Sequence, residues 1–491
     1  MKRLIKLSAV GAVIAVTFMS SAVAQYPDYR MGYITPQTKN ALIRYYSPTE
    51  AVAVYRNYRT TPSPVFYTTV CVVDNFGNIH SVDMDDGYDV FDMEVVGNYL
   101  VMCGRYNTSK AFIGCLKIPD IFTSSTQVNY HFIPGDISDF KKMAAFVDQN
   151  GDIKVVALGT FHYITLPSIL SGCPNASGAF SDCSSPYTCW LDFIIETTNP
   201  QNYPSGNLPY DMKFINDEIG SPDIIDDIVL TDNYVVFIGQ GSMGGSLGLT
   251  MHPCPKTSIL PNFGSYYFYP TVDERFDHYT GCHMCADTIA VATRGRYLES
   301  GWSEWDTRIR VIDAASHVMT SSQAFDLNDY KSDPIDMVYL KNKKTLVLLE
   351  DIKYPPVSGV NNYSFIFLNP YQTFKANPDI PIIAPTIPWV LPYAAKGFHE
   401  ATRSLTFWSM DRTASQDAIV ATGGDYWILK SVPLITTGNN CYKPISVDVY
   451  KLYDIIGVLG YYNHVDCSQE FNSSTNVHST RSFMISGSCA Q

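Results

Sequence analysis

Apolar and polar positions alternate through most of the chain at the two-residue period of strands, and one arrangement recurs. Residues 227–239 read DIVLTDNYVVFIG: a short apolar run, a polar turn, and a longer apolar run ending in glycine. DMEVVGNYLVMCG from Asp92 repeats the spacing, and DVYKLYDIIGVLG from Asp448 has the same length and end residues. Looser copies are DFKKMAAFVDQNGDIKVVALG from Asp139, GCHMCADTIAVAT from Gly281, DMVYLKNKKTLVLLE from Asp336 and HEATRSLTFWS from His399. Apolar runs on both sides of a turn predict antiparallel hairpins rather than helices.

Further strand-like runs follow the copies, such as AFIGCLKI, TRIRVID and YSFIFLN. Four antiparallel strands per unit, with starts 47 to 88 residues apart, predict an all-β chain folded as a β-propeller. Seven four-stranded antiparallel blades fit the copies best, and six or eight remain compatible with the spacing. The wide gap between Asp139 and Asp227 is assigned to a cysteine-containing insertion near 171–190. The hairpin Val65–Met84 is expected to complete the last blade, beside the hairpin that begins at Asp448.

The first 24 residues join a basic start (Lys2, Arg3, Lys6) to LSAVGAVIAVTFM and then to the small residues Ala22 and Ala24. That order predicts a secretory signal peptide at 1–24, then an N-terminal extension at 25–64 and the propeller at 65–491. No later stretch is long and apolar enough for a transmembrane helix. Without those three basic residues, Lys+Arg falls from 34 to 31 against 47 Asp+Glu, and the net charge moves from -13 to -16. An acidic chain repels phosphate backbones, which argues against nucleic acid as a partner.

Twelve cysteines in an exported chain point to disulfides. Cys103 and Cys115 lie six residues either side of Ser109, so a hairpin centred there sets them face to face as a candidate bridge. Cys173, Cys183 and Cys189 cluster in the insertion, and Cys441, Cys467 and Cys489 share the last region. Their connectivity is open.

Through the D-x-h-x-h-x-x-Y-h-V-h-x-G units at Asp92 and Asp227, the chain resembles the secreted β-propeller proteins of Bacteroidetes-type, Gram-negative bacteria. The resemblance is one of fold over most of the mature chain. It implies an exported protein that is periplasmic, cell-surface associated or extracellular, and it transfers no catalytic residue.

If each unit opens at one end of a central channel, Asp92, Asp139, Asp227, Asp336, His399 and Asp448 ring the channel mouth. Arg105 and Tyr106 then stand beside it, as do Tyr297, Trp302 and Trp305 in RGRYLESGWSEWD. Acids at strand starts also accept backbone N–H bonds and brace the next blade, a purely structural role. The two indoles suit stacking on a sugar, and equally suit capping a blade edge. No carboxylate pair at glycosidase spacing is evident, so no catalytic residue is assigned.

His278, Cys282, His283 and Cys285 in HYTGCHMC have one zinc-like spacing without a second cysteine pair, and no metal is expected there. GQGSMGG follows a strand but no helix, which argues against a dinucleotide site. Asp83, Asp85 and Glu94 fall at EF-hand offsets, but Tyr88 stands where glycine is needed. No cofactor is expected. The function expected is an exported, non-enzymatic binding module presenting a propeller face to a saccharide or protein ligand. The alternatives are a carbohydrate-active hydrolase or lyase using carboxylates at the channel mouth, and a structural interaction scaffold.

Overall fold

In the strand Glu50–Arg59 the apolar residues are nearly continuous, and the structure shows why. Val52 and Val54 pack on one face with Met93, Leu100, Met102 and Phe112, while Ala51, Ala53 and Tyr55 pack on the other with Cys71, Val73 and Ile79. A sheet covered on both faces selects apolar side chains at successive positions, not at alternate ones. The core therefore lies between facing sheets. At about 1.5–3 kcal/mol for each fully buried aliphatic side chain, these interfaces are the main source of stability.

The computed structural model describes residues 29–30, 41–59, 65–74, 78–107, 110–132, 139–161, 187–195, 209–214, 224–243, 246–257, 265–270, 274–295, 306–326, 331–353, 361–368, 383–384, 393–395, 407–412, 419–423, 427–430, 442–444, 448–451, 454–459, 467–470 and 472–484. Within these residues the chain is a β-propeller of antiparallel sheets. The unit beginning at Tyr88 shows the plan. Tyr88–Val96 pairs with Tyr99–Tyr106, that strand with Lys110–Lys117, and that one with Ser125–Phe132. Similar meanders, here called blades after their first residue, start at Ala41, Asp139, Ile224, Glu274, Lys331 and Phe407. Each innermost strand packs against the next, and Phe407–Arg412 packs against Ala41–Ser47. Tyr29–Arg30 adds to the Phe407 blade by pairing with Trp427–Lys430.

Ala41–Arg59, expected as part of an extension, supplies the two inner strands of a blade whose outer strands are Val65–Asp74 and Asn78–Asp86. The Val65–Met84 hairpin thus belongs to the Ala41 blade and does not complete a blade begun at Asp448.

The Asp448 unit is not a hairpin. Asp448–Lys451 pairs with Val318–Asp326, and Asp454–Leu459 pairs with Ser265–Pro270 in a different sheet. These are two links of a longer return path. Tyr442–Pro444 adds to the Lys331 blade, and Cys467–Glu470 to the Asp139 blade. Asn472–Met484 then runs between the Tyr88 and Ala41 blades, pairing first with Ser125–Phe132 and then with Asn78–Val82. The return segment visits the blades in reverse order, from the outside.

The cysteine pair also needs correction. The turn residues lie between Tyr106 and Lys110, which pair, so Cys103 stands opposite Ile113 and Cys115 opposite Val101. The true centre is one residue earlier than Ser109, which shifts the partner by two. Cys103 carries a free thiol, so it does not bridge to Cys115, and both side chains are buried, as are those of Cys71, Cys254 and Cys282. The GQGSM portion, Gly239–Met243, lies in the strand Tyr234–Met243, which pairs antiparallel with Ser246–Pro255. Among the described residues no helix is long and apolar enough to cross a membrane.

Candidate functional site

The first strand of each blade is an edge strand, so every second N–H faces the channel without a ladder partner. Side-chain carboxylates take up these amides in a repeated bracket. Asp92 accepts from Met93 N at 3.0 Å within its own strand and from Met143 N at 3.0 Å in the next blade. Asp227 accepts from Ile228 N at 3.0 Å and Gly281 N at 2.8 Å. Asp336 accepts from Met337 N at 2.8 Å and Met410 N at 2.7 Å. At the junction where Phe407–Arg412 meets Ala41–Ser47, Asp411 performs the same task for Arg412 N at 2.7 Å and Tyr45 N at 2.8 Å.

A register shift precedes each of the first three acids, between Val90 and Asp92, Ile225 and Asp227, and Pro334 and Asp336. Such a bulge re-aims the side chain that follows it. The glycine ending the Asp92 repeat belongs to the same device. A Cβ on Gly104 would collide with the Asp89 carbonyl of the bulged strand. In the Tyr88 blade the Asp-to-Gly spacing thus reflects a bulged, amide-bracketing edge strand, while the Asp336 bulge does without the glycine and sets Glu350 opposite Pro334.

A cavity of about 600 Å³ lies among these inner strands, lined by Arg44, Asp92, Glu94, Lys142, Asp227 and Asp336 together with Asp232, Cys282, His283 and Asp411. Arg44 approaches Asp92 at 3.3 Å and Glu94 at 3.8 Å, and Lys142 approaches Asp227 at 3.7 Å. Burial pulls the Arg44 guanidinium down, but Glu94, Asp92, Asp411 and Asp336 outweigh it and raise it above its ordinary value. Burial is likewise outweighed at Lys142, which Asp92, Asp227 and Asp336 hold above the usual lysine value. Asp227 and Asp336 are pushed up by burial, against the opposing pull of Lys142 and Arg44 respectively.

Glu94 differs from the bracketed acids. Its side chain keeps about a third of its surface open (34%), and among the described residues its charge partner is Arg44. Burial pushes its carboxyl up to about 7, Arg44 opposes the rise, and Asp92 and Asp411 add to it.

The residues expected at the mouth divide. Asp92, Asp227 and Asp336 converge on the cavity, but from within their strands rather than from the strand starts. Asp139 opens its strand outside the lining, with a buried Oδ1 that meets no hydrogen-bond partner among the described residues. Arg105 pairs with Asp89 at 3.4 Å, and Tyr106 packs on Tyr88 and Phe132, so neither lines the cavity. The backbone of Asp448 is on the outer return segment, away from the inner strands. His399, Tyr297, Trp302 and Trp305 lie outside the described residues.

Arg44, Glu94, Lys142 and Asp411 were not anticipated. A signal existed in DVFDM, DFKKM and DPIDM, where an acid stands three residues before Asp92, Lys142 or Asp336 and a buried methionine follows. Two of the leading acids reach back to the preceding blade: Asp89 to Arg56 at 3.1 Å and Asp333 to Arg294 at 2.5 Å.

In HYTGCHMC, Cys282 is buried, and burial raises its thiol. His283 Nε2 lies 2.9 Å from the Ala286 carbonyl and 3.7 Å from Asp232. Among the described residues no three His, Cys, Asp or Glu side chains group as metal ligands.

No known protein family and no curated protein matches the chain. Among solved structures it is similar to the β-propeller domain of the Trilobed protease from Pyrococcus furiosus, which has an open velcro topology. That similarity has 9% identity and a TM-score of 0.35, over 82% of this chain and 98% of that one.

Proposed function

We propose that this protein is an exported, non-enzymatic binding module, a closed ring of seven blades whose channel cavity takes a saccharide. One observation carries the reading. The cavity is lined by charged side chains, yet four of its acids are fixed by two backbone amides each. Glu94 and Lys142 are more open to a ligand (side-chain exposure 34% and 40%). Groups held in place before binding lose little freedom on binding, which suits recognition of hydroxyls. The Trp302–Trp305 segment belongs to the same reading as a stacking surface, and export rests on the leader at 1–24.

The test is a glycan array probed with the mature chain, its Glu94→Gln variant and its Lys142→Ala variant. Signal on a defined set of glycans, weakened by either substitution, is expected. An array blank for the folded unaltered chain rejects the saccharide.

The alternative, a carbohydrate hydrolase or lyase, has Glu94 in its favour. A carboxyl raised to about 7 exchanges protons near neutral pH, as a general acid or base must. Hydrolysis also needs a second available carboxylate. The commitment of Asp92, Asp227, Asp336 and Asp411 to amides favours binding over chemistry.

A further inference from the structure

The strand Asn472–Met484 fills a slot between two outer edges, Ser125–Phe132 of the Tyr88 blade and Asn78–Asp86 of the Ala41 blade. With it in place, the two blades form a continuous nine-stranded sheet. Its hold is mainly the backbone ladder, since Ser474, Thr475, Val477, Ser479, Arg481 and Ser482 are exposed, Val477 by 70%. A few side chains set the register. Thr475 Oγ1 donates to Asn129 Oδ1 at 2.8 Å, His478 Nε2 meets Tyr130 OH at 3.3 Å, Ser482 Oγ meets His80 Nδ1 at 2.9 Å, and Arg481 pairs with Asp83.

We infer that this slot is a strand-acceptor site which the same strand of a second copy also occupies, giving strand-exchanged dimers. The slot presents two preformed edges, the arrangement that captures an extended segment by strand addition. Every register-setting partner is present in any copy, so a second chain's strand fits as well as the chain's own. Only residue 471 separates this strand from Cys467–Glu470, which is held by the Asp139 blade. Short connections of this kind favour exchange between copies over rearrangement within one. Tethering gives the chain's own strand a high effective concentration, so exchange rises with protein concentration.

Ser125 and Ser479 stand directly opposite one another, and both are exposed. Full-length Ser125→Cys and Ser479→Cys, carrying different tags, are mixed at high concentration and oxidised. A disulfide-linked pair bearing both tags is expected, above the level from the unsubstituted chain. The double variant Ser125→Cys/Ser479→Cys, oxidised while dilute, should close within one chain and then stay monomeric on concentration. Light scattering of the unsubstituted protein should show dimer growing with concentration. Closure within the double variant without any mixed-tag product overturns the exchange. Failure of the double variant to close overturns the register itself, and a monomer at every concentration rejects the dimer whatever the variants do.

Discussion

The innermost strands and the outer return strands are both edges, but they are finished in opposite ways. Tyr88–Val96 uses a side chain on open amides: Asp92 closes Met93 N of its own strand and Met143 N of the next blade, and is itself held by Arg44. Asn472–Met484 covers the open edges of two blades with its own backbone, leaving most of its described side chains in water. Where an edge must border a cavity it cannot be covered by another strand, so it needs particular residues at particular positions. Where it faces outward, the backbone of an extended segment closes the edge, and a few polar side chains are enough to set its register.

Removing one bracket should break this contrast most visibly. Asp92→Ala strands two buried amides and leaves Arg44 without its nearest acid, so a loss of about 3–5 kcal/mol in urea unfolding is expected. A loss below 1 kcal/mol means the bracket is dispensable. Gly104→Ala tests the bulge that aims Asp92. The added methyl meets Asp89 backbone, and a cost of about 1–3 kcal/mol is expected, read from the thermal midpoint.

Glu94 sharpens the comparison through pH. Its folded-state value, about 7, stands above the ordinary carboxylate value, so the fold holds a proton that the unfolded chain has released. The stability contributed is present below the ordinary carboxylate range and is lost as pH rises through about 7. Glu94→Gln should flatten that part of the stability–pH curve, and an unchanged slope between pH 4.5 and 7 would falsify the assignment. On the outer strand, Val477→Thr should move stability by no more than about 0.5 kcal/mol. A larger loss in chemical denaturation means that the return strand is held by side chains after all.

The same contrast explains what could be read from the sequence. The Asp92 and Asp227 hairpins were legible because both carry an acid after the bulge and a glycine on the partner strand, whereas the Asp139 bulge leads to Lys142 and the Asp336 bulge faces Glu350. ALIRYYS escaped because Arg44 stands where the motif expects an acid and SPTE replaces the usual turn. The Asp448 segment misled because a short step between edges of different sheets looks like a hairpin turn. Channel-facing acids were found individually, but Glu94 and Lys142 acquire their surroundings only when distant strands meet. The Cys103–Cys115 register was off because a loop's true centre depends on which turn closes it, and composition alone left that open.

The direction of the return segment has a consequence for biosynthesis. Tyr442–Met484 follows every blade in the chain, yet its strands complete the outer edges of blades made much earlier. As synthesis proceeds, Ser125–Phe132 and Asn78–Asp86 emerge hundreds of residues before the strand that covers them. During that interval their ladders are open to neighbouring nascent chains. Slow translation or a holding chaperone should therefore affect the yield of this protein more than its final stability.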